Sequence, residues 1–129
     1  MRILIVDDND LKVRDLISVL EKNNVEYDYA NCRIAALQFL LRSKNQYDGI
    51  VLDMQFPNRE DERIDINAGY DFLHELEFRN IDIPVCMHSS ATDLDFSDHK
   101  NVVMYIKYDS FVYLNNQYQQ FVDIIKDNI

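Results

Sequence analysis

The chain has almost no glycine: Gly49 and Gly69 are the only two in 129 residues. No glycine-rich phosphate loop can be built from them, which argues against a nucleotide as the resident ligand. Positive charge is scarce too. Thirteen lysines and arginines stand against 23 acids, for a net charge of −10. No local basic cluster offsets that deficit, so the chain is not expected to bind nucleic-acid phosphates or to partner with nucleic acid. The longest apolar runs are strand-sized, far short of a membrane span, and no membrane partner is expected. The opening MRILIVDD has one arginine and an apolar tetrad followed directly by acids, which is not a signal peptide. Cysteine occurs twice, at Cys32 and Cys86, both in strand-like segments. They read as buried thiols in a reducing cytoplasm, and nothing in the sequence supports a disulfide between them. Repeats, low-complexity tracts and linkers are absent. At this length the expectation is a single domain over 1–129, large enough for a real core.

What is present is a set of apolar runs that end in charge. Ile50-Val51-Leu52 within YDGIVLDM stops at Asp53. Ile3-Leu4-Ile5-Val6 stops at Asp7-Asp8, and Val102-Val103-Met104-Tyr105-Ile106 stops at Lys107. The run Ile50-Val51-Leu52 is what a central strand covered on both faces looks like. Open α/β sheets place their chemistry in the crevice beyond the strand tips, so three acids and one lysine converge on one edge.

The segments between these runs alternate with them. Residues 2 to 8 form a first strand, and Asn9 or Asp10 caps a helix with Val13, Leu16, Ile17 and Leu20 on one stripe. Residues 26–30 alternate as a half-covered edge strand, and a helix over 33–42 carries Ile34, Leu37 and Leu41 on one stripe. After Phe56-Pro57 comes a long polar stretch, NREDERIDIN, expected to be a mobile loop or an extra helical turn. A helix with Phe72, Leu73 and Leu76 follows, then a strand from Ile83 to Met87 that ends at His88-Ser89-Ser90. Residues 91–100 support only a short, weak helix. The last helix, from about Val112 to Asp127, has Leu114, Tyr118, Phe121, Val122 and Ile125 on one face. Five alternations of strand and helix specify a doubly wound parallel α/β sheet.

The converging side chains define a chemistry. Like carboxylates ~4 Å apart repel by ~4 kcal/mol per pair at an effective dielectric of about 20. A fold keeps such a cluster by raising a pKa or by binding a cation. All-oxygen ligands favour a hard ion, Mg2+ over Zn2+. Lys107 adds a point charge suited to an anion, and Ser89 adds a hydroxyl. Together these make a phosphoryl-transfer site.

The motifs RILIVDD, YDGIVLDMQFP, IPVCMHSS and YIK, in this order, resemble the receiver domain of bacterial two-component response regulators over essentially the whole chain. The resemblance implies a five-stranded parallel sheet in flavodoxin-like order 2-1-3-4-5 with helices on both faces. It also implies Asp53 as phosphoacceptor, Asp8 and Asp53 as direct Mg2+ ligands, Asp7 acting through water, and Gln55 supplying a backbone carbonyl. Ser89 matches the family's hydroxyl residue, with Ser90 a close rival disfavoured by the count from Pro84. Lys107 matches the family lysine. The implied partners are a sensor histidine kinase or phosphotransfer protein and a downstream protein, and the implied role is a phosphoacceptor rather than an enzyme.

Departures from the pattern are specific. The loop before Gly69 is longer than the family's by about eight residues. Tyr108 stands where proline usually follows the lysine, and Met104 stands at the position of the switching aromatic, with Tyr105 on the opposite side of the strand. These departures keep a rival in view, a receiver-like module that binds a partner without phosphorylation. A small metal-dependent phosphatase would need an acid at Gln55 and ranks last. The bland expectations are a core position for His88, and solvated positions for His74, His99 and the run Glu60-Asp61-Glu62.

Overall fold

A computed structural model describes residues 1–43, 46–90, 94–109 and 114–128. Its main sheet has five parallel strands: β1 (Arg2–Val6), β2 (Glu26–Ala30), β3 (Gly49–Leu52), β6 (Val85–Ser89) and β7 (Val102–Lys107). They lie in the order β2-β1-β3-β6-β7. With the short strands β4 (Phe56–Pro57) and β5 (Ile64–Asp65) set apart, this is the expected 2-1-3-4-5 order.

The two faces of the sheet divide the helices. On β1, Leu4 and Val6 point to one core and Ile3 and Ile5 to the other, as the two-residue period of a strand requires. The first core is roofed by α2 (Arg33–Ser43) and α3 (Ala68–Phe78), with Ala36, Leu40, Phe72, Leu73 and Leu76 buried. The second is roofed by α1 (Arg14–Lys22) and α4 (Asn115–Asp127), with Leu16, Leu20, Tyr118, Phe121, Val122 and Ile125 buried. Burial on both faces is why β1 and β3 read as unbroken apolar runs.

Several expectations need correction. The stretch after Phe56 is neither a mobile loop nor a helical turn. It folds back so that Phe56 pairs antiparallel with Asp65 and Pro57 with Ile64, a small hairpin beside the main sheet. Tying it down, the Ile34 amide donates to the Asn58 carbonyl at 3.0 Å. Residues 94–100 form turns and no helix, while 91–93 lie outside the described residues. The first strand ends at Val6, and Cys32 sits in the bend before α2, not in a strand. On α2 the expected stripe largely faces outward: Ile34 and Leu41 are 36% and 54% exposed, and the sheet is met instead by Ala36 and Leu40. The last helix begins at Asn115; Val112 lies outside the described residues.

Candidate functional site

The acids hang from the tips of two neighbouring central strands. Val6 and Leu52 are partners across the β1–β3 ladder. One residue further, the Asp7 amide donates to the Ala30 carbonyl at 3.1 Å and the Asp53 amide to the Val6 carbonyl at 2.9 Å. The sheet's hydrogen bonding thus extends past the strands and fixes both acid backbones. Carboxylate oxygens of Asp7, Asp8 and Asp53 come within 4.8 Å of one another. Asp7 is 2% exposed and Asp53 is 5% exposed. Burial, followed by the Asp53 charge, pushes the Asp7 carboxyl up to about 7. Asp53 is raised as well, chiefly by burial, with Lys12 acting in opposition.

Lys12 is the functional residue that sequence reasoning missed. Its ammonium Nζ donates to Asp53 Oδ1 at 2.6 Å and stands 3.3 Å from Asp7 Oδ2. The turn ahead of α1 carries it there, because Asn9 Oδ1 accepts from the amides of Leu11 and Lys12 at 3.1 and 3.2 Å. Neither Asn9 nor Asp10 caps the helix as expected: α1 has Val13 at its N-cap with no side-chain hydrogen bond, and Asn9 closes the turn ahead of it instead. Lys12, Leu16 and Leu20 fall four apart in the sequence, but Lys12 lies in the turn before α1 and is buried there by its partners rather than by the helix period.

The donor set suits a hard divalent cation. It offers only carboxylate oxygens, and Asp7 Oδ2, buried and outside any hydrogen bond, is faced by a cationic group, the Lys12 ammonium at 3.3 Å. The cluster opens into a cleft of about 630 Å³ whose walls include Asp8, Lys12, Asp53, Ser90, Lys107 and Tyr108.

No family model matches the sequence. Among solved structures, the receiver domain of the Francisella response regulator 1452 superposes with a TM-score of 0.73 at 22% identity, covering 99% of this chain and 98% of that one. The response regulator TrrA from Thermotoga maritima, in complex with Mg(2+)-BeF, gives 0.69 at 19% identity, covering 96% and 97%. The chain folds as a response regulator receiver domain. Among curated proteins, the two-component response regulator ARR10 of Arabidopsis thaliana is 30% identical over 114 residues, which is 88% of this chain and 18% of that protein. The chain spans about a fifth of the length of the curated relatives it matches.

Within this receiver fold the remaining expected residues are distributed unevenly. Lys107 is exposed at the end of β7 in the same cleft, opposite Ser89 in register. Among the described residues, the ammonium within 4.0 Å of the cluster's carboxylates is that of Lys12, not Lys107. Ser89 is buried in β6, and the serine lining the cleft is Ser90. Gln55 is exposed and does not line the cleft. Met104 packs toward α1 and α4, while the Tyr105 ring lies 5.6 Å from Phe96 on the other face. His88 occupies the core as expected, with Nε2 2.9 Å from the Tyr118 hydroxyl, and burial pulls its pKa down to about 3. His99 corrects the solvated expectation: it is 8% exposed, with Nδ1 2.6 Å from Glu77 Oε1. His74 and the run Glu60-Asp61-Glu62 are exposed as expected.

The Asp7 shift has a stability consequence. The folded carboxyl titrates near 7 against an ordinary value of 3.8, so the folded state binds the proton more tightly than the unfolded chain. Its contribution is fully present below pH 4 and is lost as pH rises through 7. Replacing Asp7 with Asn, which removes the charge and keeps an acceptor for the Asn9 amide, is expected to stabilise the metal-free protein by about 2 kcal/mol at pH 8. The gain shrinks toward zero at pH 4. Urea denaturation of both proteins across pH 4 to 8 measures it, and a gain independent of pH would rule the mechanism out.

Proposed function

We propose that this chain is a two-component receiver whose Asp53 accepts a phosphoryl group from a phosphohistidine of a sensor kinase or phosphotransfer protein. The observation that carries the reading is the convergence of Asp7, Asp8 and Asp53 at adjoining strand tips, with oxygens within 4.8 Å. In this reading Asp8 and Asp53 hold Mg2+ directly, Asp7 through water, and Gln55 through its carbonyl; the ion, when bound, neutralises charge on the transferring group. The Asp53 carboxylate oxygen attacks phosphorus in line, the P–N bond to the donor imidazole breaks, and that nitrogen recovers a proton. Water later attacks the acyl phosphate, returning Asp53 and inorganic phosphate. Lys107 and the hydroxyl of Ser89 are assigned to the phosphoryl oxygens.

The chain in this proposal is a single receiver-type domain over 1–129. It acts in the cytoplasm as a phosphoacceptor rather than an enzyme, and relays its signal by changing protein partners. Among the described residues no helix is long and apolar enough to cross a membrane.

Intact-mass spectrometry after incubation with acetyl phosphate tests the proposal. One phosphoryl adduct is expected with Mg2+ and none with chelator. A second reading, a receiver-like module that binds its partner without phosphorylation, is favoured by one observation: the Lys12 ammonium already neutralises Asp53 at 2.6 Å. Absence of any adduct under both conditions would favour that module.

A further inference from the structure

Lys12 and a divalent cation draw on the same carboxylates. The ammonium lies between Asp53 Oδ1 at 2.6 Å and Asp7 Oδ2 at 3.3 Å, two of the three acids of the cluster. Its side chain is only 7% exposed, so it is a built part of the site and not a passing surface lysine. Mg2+ binds carboxylate oxygens at roughly 2.0–2.1 Å. Two cations drawn to one pair of oxygens repel each other with little water between them to screen it.

The lysine already has a second contact, an aromatic one, that can keep it when the carboxylates are lost. Its backbone is fixed by the Asn9 turn, but four rotatable carbons separate that backbone from Nζ. The Tyr108 ring is next to it, with its centroid 5.7 Å from Nζ, in the same cleft. An aromatic face at that distance is a favourable seat for an ammonium. Tyr108 is itself anchored. Its amide donates to the Ser89 carbonyl at 2.8 Å, and its ring stacks edge-on against His88 at 5.4 Å, which in turn bonds Tyr118 of α4.

We propose that Lys12 is the resident cation of the acidic cluster and that a divalent metal ion binds by displacing it toward Tyr108. This rests on the receiver reading above, and it makes Lys12 a gate on the acceptor. While Lys12 holds Asp53 Oδ1, that oxygen is engaged and the metal site is closed. Once the metal is in, Asp53 is released from the lysine and the ammonium reports metal occupancy to the tips of β6 and β7.

Calorimetric titration of Mg2+ into wild type and Lys12→Met tests this. The variant is expected to bind at least tenfold more tightly, since its side chain matches lysine in length without competing for the oxygens. In parallel, 13C-lysine-labelled wild type is titrated with Mg2+, and the Lys12 Cε resonance, assigned through its backbone, is followed. It is expected to shift in step with binding, so the proposal can be judged even where Lys12→Met does not fold. Equal affinities, or a Cε signal that stays put at saturation, would overturn it. Acetyl phosphate labelling of the same samples separates the two readings. Adducts formed with a static Lys12 overturn the gate and leave the receiver standing. No adduct and no Mg2+ binding in either protein overturn both.

Discussion

Asn in place of Asp53 is expected to abolish phosphoryl uptake and to make the fold more stable. The loss is complete because the amide has no nucleophilic oxygen to offer phosphorus. The neighbouring acids are poor substitutes: Asp7 is 2% exposed, and its pKa of about 7 leaves it partly protonated at neutral pH. The gain in stability follows from the charge count. Asp53 is a buried carboxylate whose ionisation is opposed by burial and by the charge of Asp8, and Lys12 offsets only part of this. The amide removes one negative charge from the cluster, while its own oxygen can still accept from Lys12. A gain in stability at pH 8 is expected, against a metal-free wild type. Intact mass measures the first effect and urea denaturation the second. A persistent adduct would mean another side chain is the acceptor. A less stable variant would mean the Lys12 pair outweighs the repulsion.

Alanine at Gly69 is expected to cost about 3 kcal/mol, roughly 10 °C in midpoint, and to reduce phosphoryl uptake with it. Gly69 opens α3 against the residue after the acceptor, its amide donating to the Met54 carbonyl at 2.8 Å. A Cβ there would lie 2.8 Å from the Asp53 carbonyl oxygen and 2.8 Å from Met54 Cα. Both are backbone atoms, so either α3 or the tip of β3 must move, and the second carries Asp53. Its φ is not positive, so the requirement is space and not conformation. Gly49→Ala is the control. Its Cβ would clash with Ile125 Cδ1, the far end of a side chain that can turn aside. It should cost about 1 kcal/mol and leave uptake intact. Equal losses at the two glycines would show that the contact with the Asp53 backbone is not what matters.

Much of this molecule is legible along the chain because its centre is a parallel sheet. Strands buried on both faces must be apolar throughout, so the first charged residue marks the tip, as Asp7 and Asp53 do; β7 ends at Lys107 too, but as an edge strand with Val103 and Tyr105 exposed. The acids could thus be brought together without coordinates, and their spacing in the fold agrees, with oxygens within 4.8 Å. The faces of α1, α3 and α4 were equally readable, since their stripes meet the sheet where the period places them.

Other features exist only once distant segments meet. The hairpin of Phe56–Pro57 with Ile64–Asp65 rests on two residue pairs, too few to leave a two-residue alternation in so polar a stretch. On α2, Ile34 and Leu41 suggested the buried face, but the small Ala36 and Leu40 are what the sheet accepts at that crossing. His99 is buried because Glu77, twenty-two residues earlier, is there to pair with it. Lys12 is the plainest case. A lysine in the turn before a helix is ordinarily turned to solvent, because burying an ammonium without a partner is costly. Its partners are Asp7 and Asp53, and the second is forty-one residues away. The order of the strands and the acids at their tips were determined by the local pattern of apolar and charged residues. Which cation stands among those acids was decided by tertiary structure alone, since only the closed fold removes the water that would otherwise hold them apart.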